Sequence, residues 1–209
     1  MRKSSARRWA LLAVPALILL ACSDGTAPTS DSNTRPPAAF RPVALRVGAP
    51  VLSQRTVSFW ARYDQDREVA IYFRPQPGNS DSTEYLRFRV PARSLLRDAT
   101  GRVFSGTDSV RITITVPDSG VFAAEFQPSG LRFDPSRPAR LKFELAERDD
   151  DLDRDGDDDD DDDDLLVNLS LWRQERPGSL WEKIASLVIE GLEEIEADIT
   201  GFTGYAVAI

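Results

Sequence analysis

The side chains of this chain best suited to chemistry are aspartates, and they are concentrated: Asp149 to Asp164 reads DDDLDRDGDDDDDDDD, thirteen Asp in sixteen residues. Counted from Asp151, the run sets carboxylates at Asp151, Asp153, Asp155, Asp157 and Asp159, with Gly156 at the sixth place and Asp162 at the twelfth. Oxygen ligands at every second residue, with a glycine that lets the backbone turn sharply, are what a loop needs to wrap a hard cation such as Ca2+. The rest of the chemical inventory is short. With no His and a single Cys, the chain lacks the usual general base, the commonest transition-metal ligand, and every Ser-His-Asp or Cys-His arrangement. A zinc site would want for ligands. No glycine-rich phosphate loop follows a strand, and no carboxylate pair outside the run stands apart from surface charges with Arg neighbours. These facts argue against an enzyme. The alternative they leave is a hydrolase working with two carboxylates, a chemistry that needs no histidine.

The D-x-D-x-D-G-x-x-D pattern resembles the calcium loops of EF-hands and thrombospondin type-3 repeats. It departs from the EF-hand in having Asp162 where a longer, bidentate Glu is usual, and in having no helix expected on either side. A tract so rich in Asp also meets such a pattern by composition alone, so the competing expectation is a solvated, disordered inter-strand loop. In both cases twelve net negative charges cannot be packed against apolar surface. The acidic loop, residues 148–164, is therefore expected at one end of the fold, with its ends held by Leu145 and Leu165.

The other marked segment is the beginning. Arg2, Lys3, Arg7 and Arg8 precede an apolar run from Trp9 to Ala21 and then Cys22. That layout predicts a secretory signal, and the apolar run is too short to cross a hydrocarbon layer of about 30 Å, which takes about 20 helical residues. Leu19-Leu20-Ala21-Cys22 resembles the lipobox of bacterial lipoproteins, which implies that residues 1–21 are removed and Cys22 is acylated and holds the chain on a membrane. Ser23 in place of Asp implies the outer membrane. The formal net charge of -8 becomes -12 without the signal. The Asp run holds 13 of the 34 acidic residues and one of the 26 basic ones, so with the signal's four cations set aside 21 of each sign remain elsewhere. A neutral body without a basic stripe, beside a loop that repels phosphates, excludes nucleic acid as a partner. Residues 22–39 have no large apolar side chain after the cysteine and predict a flexible tether with a typical span of about 20–25 Å.

From Phe40 the apolar period becomes two, the mark of strands with one buried face. Val57, Phe59, Ala61 and Tyr63 share a face; so do Val69, Ile71 and Phe73 beyond the turn at Asp64–Arg67, and the two runs read as a hairpin. Leu86, Phe88 and Val90 follow, then Val110, Ile112, Ile114 and Val116, then Phe122, Ala124 and Phe126, then Leu141, Phe143 and Leu145. After the Asp run come Val167, Leu169 and Leu171, a turn at Arg176–Ser179, and short strands at 180–184, 187–189, 195–199 and 205–209. Only PARSLLRD, residues 91–98, suggests a helical turn. The fold class expected is all-β, an antiparallel β-sandwich formed by residues 40–209, with a subdivision near residue 105 as the alternative. Trp60 falls on the face opposite Val57 and Phe59, and is the aromatic expected at the surface; with Tyr72 it would be the platform of a carbohydrate-binding accessory protein.

Phe126-Gln127-Pro128-Ser129-Gly130-Leu131-Arg132-Phe133 and Pro138-Ala139-Arg140-Leu141 resemble the P-x-G-x-x-F … P-a-x-L core of the β-sandwich domain shared by zonula occludens proteins, netrin receptors and ankyrins. Trp181-Glu182-Lys183-Ile184 and Gly201-Phe202-Thr203-Gly204-Tyr205-Ala206-Val207 resemble its W-x-x-l and H-F-S-x-Y-A-V ending, with Gly201 in place of the His. Val90-Pro91-Ala92-Arg93-Ser94-Leu95 is similar to its I-P-x-G-A-L element, with Arg93 in place of the Gly. The likeness covers about residues 84–209. Ser58-Phe59-Trp60-Ala61 and Ile71-Tyr72 are also similar to a pattern of extracytoplasmic bacterial lipoproteins. Both resemblances imply a binding or structural module. On the residues themselves, Gly130 and Pro128 are expected to close a tight turn, Pro138 to open an edge strand, and Trp172, Trp181, Phe202 and Tyr205 to pack in the core or its rim. The expected protein is a lipid-anchored, non-catalytic envelope module with a calcium-binding acidic loop and an envelope partner. The alternatives are an extracytoplasmic carboxylate hydrolase and a carbohydrate-binding accessory.

Overall fold

The computed structural model describes residues 40–78, 82–117, 120–156, 160–189, 191 and 193–209. Residues 1–39, with the expected signal, Cys22 and the expected tether, lie outside the described residues. Two antiparallel sheets face one another. One runs in the order β1 (Thr56–Arg62), β5 (Ser109–Thr115), β6 (Ala123–Gln127), β13 (Gly204–Ala208), β9 (Ser170–Gln174) and β10 (Trp181–Lys183). The other runs β11 (Leu187–Ile189), β12 (Glu194–Ile199), β8 (Ala139–Glu144), β3 (Glu84–Val90) and β2 (Arg67–Tyr72). A small pair, β4 (Leu95–Arg97) with β7 (Arg132–Phe133), closes one end, and a short helix, α1 (Asp160–Leu166), precedes β9. The chain is an all-β sandwich.

The period-two pattern accounts for the layers. Phe59, Ile112, Ile114, Phe126 and Tyr205 from one sheet meet Ile71, Phe88, Leu141, Phe143 and Ile195 from the other, all buried. Each such side chain stabilises the fold by about 1.5–3 kcal/mol through burial. The rings also meet edge to face, Phe88 against Phe126 at 5.2 Å and Phe133 against Phe202 at 5.1 Å, a geometry favoured by their quadrupoles. Outward positions carry hydroxyls and charges, as where Ser58 and Thr113 share a hydrogen bond of 2.8 Å across β1 and β5. Strands from both sides of residue 105 share each sheet: β1 pairs with β5 and β3 with β8.

Several expectations are corrected. The runs 57–63 and 69–73 form no hairpin: β1 pairs with β5 and β2 with β3, in different sheets. The turn between them carries the chain from one layer to the other. It is held there by Arg62 on Asp64 at 2.9 Å and by Asp66, which accepts the Ala92 N–H at 2.7 Å and the Arg89 guanidinium at 2.9 Å. Alternation fixes the face that is buried, and both topologies bury the same face. Residues 91–98 form a turn and then β4 in place of a helical turn. Arg93 sits at φ 64, a left-handed conformation that ends any right-handed helix. Pro138 opens β8 as expected, but β8 is a central strand. Val167 is exposed, in the turn that follows α1.

Other expectations stand. Gly130 closes the turn before β7 at φ 83, where a Cβ would approach that of Ala99 to 2.9 Å. Trp172, Phe202 and Tyr205 are buried, and Trp181 stacks on Phe40 with ring centroids 4.5 Å apart. A register shift opposite Ile71 and Tyr72 turns both Tyr85 and Leu86 inward. The Tyr85 hydroxyl accepts the Ala123 N–H at 2.9 Å and lies 3.0 Å from the Ala123 carbonyl oxygen, and burial pushes its pKa above the usual value.

Residues 41–45 enter the six-stranded sheet where β13 and the start of β6 diverge. Val43 donates to the Val207 carbonyl at 2.9 Å and accepts from Phe122 at 3.1 Å, while Arg41 and Ile209 exchange backbone hydrogen bonds. The acidic run lies at this same end, since the Asp149 N–H donates to the Ala44 carbonyl at 2.9 Å and Ala44 bridges Val121.

Candidate functional site

The acidic run leaves β8 under tight control. Leu145 donates to the Glu193 carbonyl at 2.7 Å, Arg46 to that of Glu147 at 3.0 Å, and Arg148 turns back onto Leu145 at 2.9 Å. Leu145 is buried and Leu165 packs half-buried against the core. A third anchor lies inside the run. Leu152 is only 5% exposed and joins the core, its carbonyl accepting from Arg41 Nη1 at 3.1 Å. The run is thus pinned from within, near its beginning, contrary to a loop solvated throughout.

Asp162 completes that anchor. It is 3% exposed, and its Oδ1 accepts the amides of Leu152 at 2.7 Å and Asp153 at 2.9 Å. It lies in the first turn of α1, a helix not expected beside the loop. Asp160 and Asp162 in its first turn suit it, because carboxylates are favoured at the positive end of a helix dipole.

On the two sides of Leu152, Asp151, Asp153 and Asp155 converge, and one oxygen from each lies within 4.8 Å of the others. The backbone makes this meeting possible. Asp151 Oδ1 accepts the Asp155 amide and its Oδ2 the Gly156 amide, both at 3.1 Å, while Asp153 Oδ1 accepts the Asp155 amide at 2.9 Å. Arg154 at φ 66 and Gly156 at φ 108 supply the bend, and Arg154 Nη2 clips the turn to the Pro42 carbonyl at 2.9 Å. The Asp155 amide pulls the Asp153 carboxyl down, but burial and repulsion from Asp155, Asp162 and Asp151 prevail and hold its pKa above the ordinary value. That repulsion on Asp153 is what a cation between the three carboxylates would relieve. Of the six residues expected to ligate, the structure brings together Asp151, Asp153 and Asp155. Asp162 serves the backbone amides outside that trio, and Asp157 and Asp159 lie outside the described residues.

A second charged cluster had no signature in the sequence. On the outer face of the five-stranded sheet, Lys142 Nζ sits 3.3 Å from Glu84, 3.7 Å from Glu144 and 2.5 Å from Glu194. Arg87 joins Glu84 to Glu68. The register sets Glu144 opposite Glu194. Burial raises the Glu144 pKa above the usual carboxylate value, Lys142 opposes this, and Glu194 and Glu84 add to it. These carboxylates clasp a lysine on a sheet face and line none of the larger described recesses, whose walls include Arg140, Asp198, Arg89 and Asp66. Trp60 and Tyr72 are both exposed, at 62% and 39%, but stand on different sheets and so form no common platform.

No protein-family model, curated protein or solved structure matches the chain.

Proposed function

We propose that this chain is a lipid-anchored cell-envelope protein, held at the outer membrane through Cys22, whose β-sandwich is a non-catalytic binding or structural module with a calcium-binding acidic loop. The observation that carries the loop's part is the convergence of Asp151, Asp153 and Asp155 within 4.8 Å on a turn fixed from both sides. The cation is held by those three carboxylates, and its charge relieves the repulsion that raises Asp153. An affinity of order 0.1–1 mM suits an extracellular module. Binding stiffens the connection from β8 to β9 and the clip onto Pro42, beside the point where the tether joins the sandwich. The module reading is supported by the pairing of carboxylates elsewhere, buried Glu84 and half-buried Glu144 and Glu194, with Lys142 and Arg87.

Calcium titration by calorimetry is expected to give a saturable event that Asp151→Asn with Asp155→Asn abolishes. Heat that follows only the number of aspartates would defeat the calcium reading. For the anchor, Cys22→Ser is expected to move the protein from the membrane to the soluble fraction and to stop incorporation of labelled palmitate; labelling that persists would refute it.

A further inference from the structure

Among the described residues β1 is the outermost strand of its sheet and is bonded to β5 on one side only. Arg55 accepts from Val116 and Tyr63 donates to Asp108, each at 2.8 Å. In an antiparallel ladder such bonded pairs recur at every second residue. Val57, Phe59 and Ala61 therefore turn their backbone groups to β5, while Thr56, Ser58, Trp60 and Arg62 direct theirs outward. Natural edges are blunted by lysine, proline, bulges, shortness or a covering segment. Among the described residues TVSFWAR has none of these: it is seven residues long, in unbroken register with β5, and carries one charge, at its last residue. The other described edges are protected. β10 and β11 have three residues each, and β2 is partly covered where Ser53 donates to Tyr72 and Arg74 to Val51, each at 2.8 Å. Beside the open edge stands Trp60, 62% exposed.

We propose that β1 pairs with β1 of a second copy of this chain, antiparallel and about a two-fold axis at Phe59, joining two sheets into one. The strand is complementary to itself in that register. Ser58 of one copy falls opposite Trp60 of the other and Thr56 opposite Arg62, and each of these pairs brings outward-facing groups together, for about eight main-chain hydrogen bonds. No like charges oppose. The two Trp60 rings lie diagonally across the axis, at roughly the 7–8 Å spacing within which aromatic side chains meet, which covers the largest exposed aromatic of this face. Charge selects both partner and direction. The acidic run, with a net charge of -12, sits at the end of the sandwich where β1 begins. Antiparallel pairing puts the two runs at opposite ends of the assembly, whereas parallel pairing would set them side by side. An isologous contact of this kind closes as a dimer and leaves no further open β1 edge.

Sedimentation velocity of the full chain in density-matched detergent tests this. The wild type is expected to shift from monomer to dimer with rising concentration. Ser58→Pro removes an outward N–H that β5 does not use, and Ser58→Lys places a charge on the edge; each is expected to weaken dimerisation at least tenfold, with a cooperative circular-dichroism melt showing that the Lys variant still folds. If Ser58→Pro fails to fold, Ser58→Lys decides. A wild type that stays monomeric, one that pairs only with another polypeptide, or a dimer that withstands Ser58→Lys overturns the proposal.

Discussion

Leu152→Ala tests whether the acidic run is part of the fold or an appendage. Leu152 is the one apolar residue among thirteen aspartates, and it is buried against the core while its amide and carbonyl are taken by Asp162 and Arg41. Leu→Ala in a rigid core costs about 2.7–5.0 kcal/mol, and less where the surroundings can collapse. Leu152 packs from a loop at the end of the sandwich, so about 2–3 kcal/mol is expected. For a domain of this size each kcal/mol lowers Tm by about 2–4 °C, which makes the shift about 4–12 °C. Urea unfolding followed by circular dichroism should show a lower midpoint with an unchanged m-value, since the same surface is exposed on unfolding. Asp163→Ala, an exposed neighbour, should stay within about 0.5 kcal/mol of wild type. A Leu152→Ala change below about 0.5 kcal/mol would show that the leucine does not anchor the run, and the geometry of the aspartate trio would fall with it.

Arg93→Gly is expected to stabilise the protein by about 0.5 kcal/mol in the same assay, as relief of a left-handed arginine, about 1–2 kcal/mol, is partly offset by the greater freedom of glycine in the unfolded chain; a loss of stability would refute the strain argument. Glu144→Gln probes the sheet-face cluster through pH. Burial raises the Glu144 pKa above its ordinary 4.5, so the folded state keeps a proton that the unfolded state has released, and this contribution is full below 4.5 and lost as pH rises through the folded value. The Gln variant is therefore expected to gain on wild type between mildly acidic and neutral pH, measured as the difference in urea midpoint; a constant difference across that range would sink the assignment. Asp64, Asp66, Asp98 and Asp134 have lowered values, so their stabilisation disappears as pH falls through that lower range, giving wild type a slope of the opposite sign in acid.

What the sequence made legible followed from burial on one face. β5, with Ile112 and Ile114 inward and Arg111 and Thr113 outward, is read directly from its period of two, as are the apolar rows of β3 and β8. Partners are not, because the face that is buried is the same whether β1 turns back on β2 or crosses to the other layer; the decision lies in Asp66 reaching Ala92 and Arg89, residues far along the chain. Tyr85 is hidden because a register shift breaks the alternation that would reveal it. In the candidate site, the spacing of Asp151, Asp153 and Asp155 was visible, and so was Gly156. The work of Asp162 was not, since one Asp among eight in a row carries no mark of burial. Leu152 did carry a mark: a lone leucine in such a tract is there for its contacts. The position of Arg93 had a signal of another kind, the glycine of the pattern it resembles, and its φ of 64 is a conformation that glycine adopts without strain.

β13 lies between β6 and β9, in the interior of its sheet, although its residues come after those of every other strand. Neither half of that sheet can close before residue 208 has been synthesised, and residues 41–45, which bond to Val207 and Ile209, must wait as well. The emerging polypeptide consequently has no early stopping point, and folding depends on contacts between distant parts of the sequence, which makes it slow. A polypeptide exported while still unfolded, which the secretory signal expected in residues 1–21 would allow, is helped by such a delay.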